Sequence, residues 1–89
     1  MSVSAYVLFK VASGTETEVA QKIAEFDDVI QADVVFGEYD VIAKVAIADL
    51  EKLQDFVSDK IKTVPDVLVT TTMIISKEYK GKRLRAKSK

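Results

Sequence analysis

The sequence predicts an α+β domain of four strands and two helices in the order β-α-β-β-α-β. Three observations carry that expectation. Two stretches show helical apolar periodicity, each is flanked by β-branched runs, and a Gly-Glu pair stands between the second run and the third. Apolar residues three and four apart mark one face of a helix, whereas runs of β-branched and aromatic residues bounded by turn formers mark strands.

Residues 4–11, SAYVLFKV, form the first expected strand, ended by Ser13-Gly14. Thr15 then opens a helix. Glu18 follows three residues on, the spacing of a capping box in which each side chain takes an orphan backbone N–H of the first turn. Val19, Ile23 and Phe26 supply the apolar face, and Asp27-Asp28 breaks the pattern. The second strand is expected over 29–36 and the third over 39–47. Gly37-Glu38 joins them in a two-residue hairpin, where Gly at the first central position suits a type II′ turn. Asp49 is the expected N-cap of the second helix, with Leu50, Leu53, Val57 and Ile61 as its buried stripe and Phe56 beside it. Pro65-Asp66 stops this helix, because proline disfavours the helical conformation of its predecessor. Residues 67–76 complete the set as the fourth strand.

This order is the split βαβ, or ferredoxin-like, sandwich. Right-handed crossovers place both helices on one face of an antiparallel sheet. Alternation assigns Val7, Phe9, Val11, Val41, Ala43 and Val45 to the helix side, with Val69, Thr71, Met73 and Ile75 from the last strand. Tyr6, Leu8, Ile42, Leu68 and Ile74 then fall on the opposite face beside a few charges and threonines. A water-facing sheet surface is more cleanly polar than that, and apolar surface on this scale marks an interface. The expected solution is a second copy of the same sheet.

Composition narrows the function. In 89 residues there is neither cysteine nor histidine. Disulfides, thiolate metal sites, the commonest metal ligand and the commonest general base are therefore all excluded. So small a domain gains stability from oligomerisation when these other supports are missing. No nucleophile motif or phosphate-cradling glycine loop occurs, and no catalytic residue, metal site or cofactor is expected. No apolar run approaches the roughly 20 residues of a membrane span. The start MSVSAYVLFKV lacks the basic n-region of a signal peptide, so a cytoplasmic protein without membrane partners is expected. The net charge of −1 conceals an asymmetry: residues 1–76 hold six Lys/Arg against 13 Asp/Glu, a net of −7, and residues 77–89 hold seven against Glu78, a net of +6. We expect a globular domain over 1–76 and a basic tail over 77–89.

FGEYDVIAKV at 36–45, set in the hairpin of a β-α-β-β-α-β chain, resembles the effector-binding domain of the Lrp/AsnC family of transcriptional regulators. The resemblance extends through AYVLFKV at 5–11, DLEKLQDFV at 49–57, VPDV at 64–67 and TTTMIIS at 70–76. Those regulators carry a helix-turn-helix ahead of this domain. Here the sequence opens on the first strand, so a stand-alone form of the domain is expected. Asp66 stands where members commonly have Gly, and Asp27-Asp28 where they often have Pro-Gly.

The resemblance implies a dimeric α/β barrel with facing sheets, and assembly of dimers to an octamer or decamer. It also implies a small amino acid or related metabolite bound between dimers near the G-x-Y-D hairpin, and Lrp/AsnC-family regulators as partners. Carried onto this chain, the ligand-binding positions are Gly37, Glu38, Tyr39 and Asp40, with Thr70, Thr71 and Thr72 as weaker candidates.

Each candidate also has a structural reading. Gly37 serves as a turn glycine and Tyr39 as a half-buried strand aromatic. Glu38 stands solvated at the turn tip, and the threonines are good strand formers. Asp40 is depleted in strands and needs donors: either the hairpin's own N–H groups or the α-ammonium of an amino acid. The resulting expectation is a non-catalytic sensor. The alternative is a dimeric-barrel enzyme, an oxygenase or isomerase, on fold analogy alone. The tail offers no element able to read base edges, so no sequence-specific nucleic acid is expected.

Overall fold

The computed structural model describes residues 2–87 of the chain; Met1, and Ser88 and Lys89 at the end of the expected basic tail, lie outside the described residues. Strands β1 (Val3–Val11), β2 (Val29–Val34), β3 (Val41–Ile47) and β4 (Val67–Ile74) form one antiparallel sheet in the order β2-β3-β1-β4. Helices α1 (Glu16–Ala24) and α2 (Leu50–Asp55) cover one face, and α3 (Lys82–Lys87) follows β4. Topology and layers are those the sequence predicts for a ferredoxin-like sandwich.

The core lies between that face and the helices. Ala5, Val7 and Phe9 of β1 and Val41, Ala43 and Val45 of β3 are fully buried against Val19 and Ile23 of α1 and Leu53 and Phe56 of the α2 segment. Phe26, just past the end of α1, meets the Phe56 ring edge-on with centroids 5.6 Å apart.

The first helix is not closed by a capping box. The Thr15 hydroxyl turns back to the Ala12 carbonyl at 2.6 Å, so it satisfies the preceding turn rather than the helix start. Glu18 is left to face Lys22 one turn on, at 3.5 Å. Asp49 does cap α2, accepting from the Lys52 N–H at 2.8 Å.

The second helical segment departs from its expected stripe. Leu50 is half exposed, and the chain passes from α2 into a π turn over Phe56–Lys60 and a 3-10 turn over Ile61–Thr63. In a continuous α-helix, residues five apart point about 140° apart, from 3.6 residues per turn. The wider π turn closes with an Ile61 N–H donated to the Phe56 carbonyl and brings Phe56 and Ile61 onto one face, both buried.

The fourth strand has the opposite phase to the one expected. Directly opposed residues of an antiparallel pair share a face. Thr70 opposes Phe9, Thr72 opposes Val7 and Ile74 opposes Ala5, so these three stand on the helix side. Val69, Thr71 and Met73 stand on the open face. Leu68 is the extra residue of a bulge between the Val11–Val67 and Lys10–Val69 pairs. Apolar residues occur at both parities along this edge strand, so pairing with β1, not periodicity, decides its register. The open face therefore carries Tyr6, Leu8, Ile42, Val69 and Met73, without Leu68 or Ile74.

Candidate functional site

The connection from β2 to β3 is wider than a two-residue turn. The last rung is the Val35 N–H donated to the Asp40 carbonyl at 2.9 Å, which leaves residues 36–39 as the loop. Gly37 has φ 150°, a region that side-chain-bearing residues rarely adopt, though not the value of a type II′ turn. Phe36 projects fully into solvent, and Glu38 is exposed.

Asp40 explains the width. Its N–H donates to the Phe9 carbonyl at 2.9 Å, and its carboxylate accepts the Val11 N–H at 3.0 Å. The side chain thereby replaces a missing rung at the end of β1. Neither expected partner, the hairpin's own amides or a ligand ammonium, is needed to satisfy it. With Asp40 held on β1, Tyr39 turns onto the open face. Its hydroxyl shares a 3.0 Å hydrogen bond with the Thr71 hydroxyl on β4, and the Lys10 ammonium stands 5.8 Å from its ring centroid. Sequence reasoning passed over Lys10. Its place on β1, with side chain on the same face as Tyr6 and Leu8, is the signal that finds it.

The expected ligand residues thus divide into two sets. Tyr39 and Thr71 meet on the open face beside Lys10, at the end where Gly37 and Glu38 carry the loop. Thr70 and Thr72 lie on the other side. There an open groove of about 640 Å³ runs between α2 and β4, lined by Leu50, Leu53, Gln54, Val57, Thr72 and Ile74.

At the opposite end of the open face, Lys44 of β3 stands beside Tyr6, its partner in register on β1, with the ammonium 5.9 Å from the ring centroid. Glu78, beyond the end of β4, forms a salt bridge with Lys44. That hydrogen-bonded ammonium, with help from Lys80, holds the Glu78 carboxyl below the usual carboxylate range. The same bond raises Lys44 above the ordinary lysine value, partly offset by desolvation. Among the described residues, no group of three or more acidic side chains could hold a metal ion, and no helix is long and apolar enough to cross a membrane.

A four-stranded antiparallel sheet with helices on one face and a tethered hairpin loop defines the class: a ferredoxin-like α+β domain. The model of the Lrp/AsnC ligand binding domain matches residues 4–84, and the chain belongs to that family. Among its relatives, the HTH-type transcriptional regulator FL11 of Pyrococcus horikoshii is 34% identical over 79 residues, which is 89% of this chain and 52% of the relative. The chain thus spans about half the length of the curated relatives it matches.

Solved structures match more of their own length. FFRP-DM1 superposes with a TM-score of 0.77 at 41% identity, covering 82% of this chain and 97% of that one. The hypothetical protein PHS023 from Pyrococcus horikoshii does so with 0.78 at 40%, covering 86% and 93%. The regulator NMB0573 of Neisseria meningitidis, solved as an L-Met complex, shares the fold with a TM-score of 0.78 at 18% identity, covering 89% of this chain and 53% of that one. The relatives are transcriptional regulators and not enzymes, which sets aside the oxygenase or isomerase alternative.

Proposed function

We infer that this domain senses a small amino acid or related metabolite and couples it to self-assembly. The observation that carries the reading is the open sheet face. Tyr6 is more than a third exposed, Val69 and Met73 are about half exposed, and Leu8 and Ile42 on the same face are partly exposed. Burying such a surface against a second copy is favourable by about 25 cal/mol per Å² of apolar area. Family membership supports the same direction, because the matched domain is the ligand-binding part of transcription regulators.

The effector belongs at the Gly37–Asp40 loop. Tyr39, Thr71 and Lys10 there present a hydroxyl pair and a cation suited to a carboxylate. With Asp40 committed to Val11, the effector's ammonium is met by Glu38 or by a neighbouring subunit. Binding favours one assembly over another by its differential affinity for the two. The signal passes to Lrp/AsnC-family regulators in the cytoplasm, through the same type of domain. Residues 1–76 form the sensing unit and 77–89 the basic tail.

Calorimetry with each of the twenty amino acids, run beside sedimentation velocity, tests this reading. Saturable heat with one or a few of them, accompanied by a shift in sedimentation, is expected. Silence with all twenty removes the amino acids and leaves the related metabolites as the effector class, and binding with no change in assembly overturns the coupling.

A further inference from the structure

Past the last strand, the chain does not leave the sheet. The Ile75 N–H donates to the Ser4 carbonyl at 2.9 Å, one more rung on β1. Glu78 then reaches Lys44 on β3. In the order β2-β3-β1-β4, Lys44 is two strands away from β4, and Tyr6 on β1 lies between them. Glu78 is therefore tied to the open face at its Tyr6–Lys44 end. On the rest of that face Val69 and Met73 are about half exposed, Leu8 and Ile42 are partly exposed, and Thr71 meets the Tyr39 hydroxyl.

Two sheets packed face to face stand about 10 Å apart, a gap filled by their own side chains. A chain segment tied onto one sheet face takes up room in that gap. We propose that residues 75–80 are a strap that competes with a second copy for the open sheet face, with Lys44–Glu78 as its latch. The proposal rests on the sheet-to-sheet assembly inferred above. The latch is suited to release. Both of its side chains are partly exposed, at 30% and 44%, and exposed ion pairs are weak and screened by salt. Letting go of Lys44 also returns an uncompensated cation to the face, and Asp33 on β2, in register with Ile42 beside it, is the nearest acid on that surface by position. A strap of this kind makes assembly tunable without any contact to the effector.

The test uses the full chain and its Glu78→Gln variant, which keeps shape and removes charge at an exposed position. Sedimentation equilibrium at low and moderate salt reads the dimer dissociation constant. A dissociation constant several-fold lower for Glu78→Gln at low salt, with the gap closing as salt rises, is expected. An unchanged or higher constant overturns the strap while leaving assembly through the face intact. A chain that stays monomeric in both forms removes the assembly reading and the strap with it.

Carbodiimide treatment supplies an independent readout, since it condenses the Lys44 amine and the Glu78 carboxylate into an amide as the reagent takes up water to become a urea. The Lys44–Glu78 cross-linked peptide is expected in the monomer fraction and depleted from the dimer fraction. Its absence from both, or its presence in dimers at the monomer's level as a within-chain link, overturns the proposal.

Discussion

Asp40 occupies a strand mouth because its carboxylate does the work of a backbone carbonyl, taking the Val11 N–H that β3 leaves without a rung. Removing the acceptor strands a buried donor, which costs about 1–3 kcal/mol. Asp40→Ala is therefore expected to lower stability by about that amount in urea titrations, and Asp40→Asn, which keeps an acceptor, by clearly less. The oddity of an aspartate there was legible in the sequence. Its partner was not, because Val11 is 29 residues away and nothing local points to it. Asp66 is a second case. It holds φ 72°, a left-handed conformation, and its carbonyl accepts the Ala12 N–H at 2.9 Å. Aspartate tolerates that region better than most residues, and β-branched ones tolerate it worst. Asp66→Gly is expected to keep or slightly raise the urea midpoint, and Asp66→Val to lower stability by about 1–2 kcal/mol. The proline-acid stop at 65–66 was readable; the sign of the dihedral after it needed the fold.

At the scale of elements, the sequence conveys β1, β3 and α1 well, because each has apolar residues on one parity or one helical stripe. It conveys the α2 segment and β4 less well. Between Phe56 and Ile61 a single wide turn resets the helical phase, and no run of residues announces such a turn. The consequence is measurable. Phe56 is buried against the Phe26 ring, so Phe56→Ala is expected to cost about 3–5 kcal/mol. Leu50, a member of the regular stripe, is 54% exposed, so Leu50→Ala is expected to cost less than about 1 kcal/mol. Thermal unfolding of the two variants side by side checks the contrast, and equal losses would count against the π turn. In β4 the ambiguity came from Val, Leu, Met and Ile lying at both parities. Only its rungs with β1 and the bulge at Leu68 choose between the two phases.

For the molecule as a whole, the open sheet face and the end of the chain are coupled through Lys44. The Glu78 carboxyl is lowered, so the strap's ion pair is fully present above the ordinary carboxylate range and is lost as pH falls through the lowered value. Lys44 is raised, so on the alkaline side the pair persists past the ordinary lysine value and is lost only above it; ionised Tyr6 would add to that hold. An NMR titration following the Glu78 side-chain carbon is expected to show a midpoint below the ordinary glutamate range. Glu78 titrating like a free glutamate would remove the latch. Met73→Lys provides the matching test of the face. Met73 is half exposed, so monomer stability is expected to stay within about 0.5 kcal/mol while self-association falls, read by light scattering. This level was partly legible: composition and an apolar sheet face pointed to assembly, while a tail read only as basic gave no sign that Glu78 reaches Lys44.

The alternation of Thr70, Thr71 and Thr72 has a practical use. Three consecutive codons address two separate faces: the middle one meets the Tyr39 hydroxyl, while on the helix side Thr72 lines the groove beside α2 and Thr70 a second groove beside Val57, Ile61 and Val64. A mutagenesis library at the outer pair would vary these two grooves, and one at the middle position would vary the loop contact. Because the middle side chain shares no face with the outer two, gains selected on one side are expected to combine with gains on the other nearly additively.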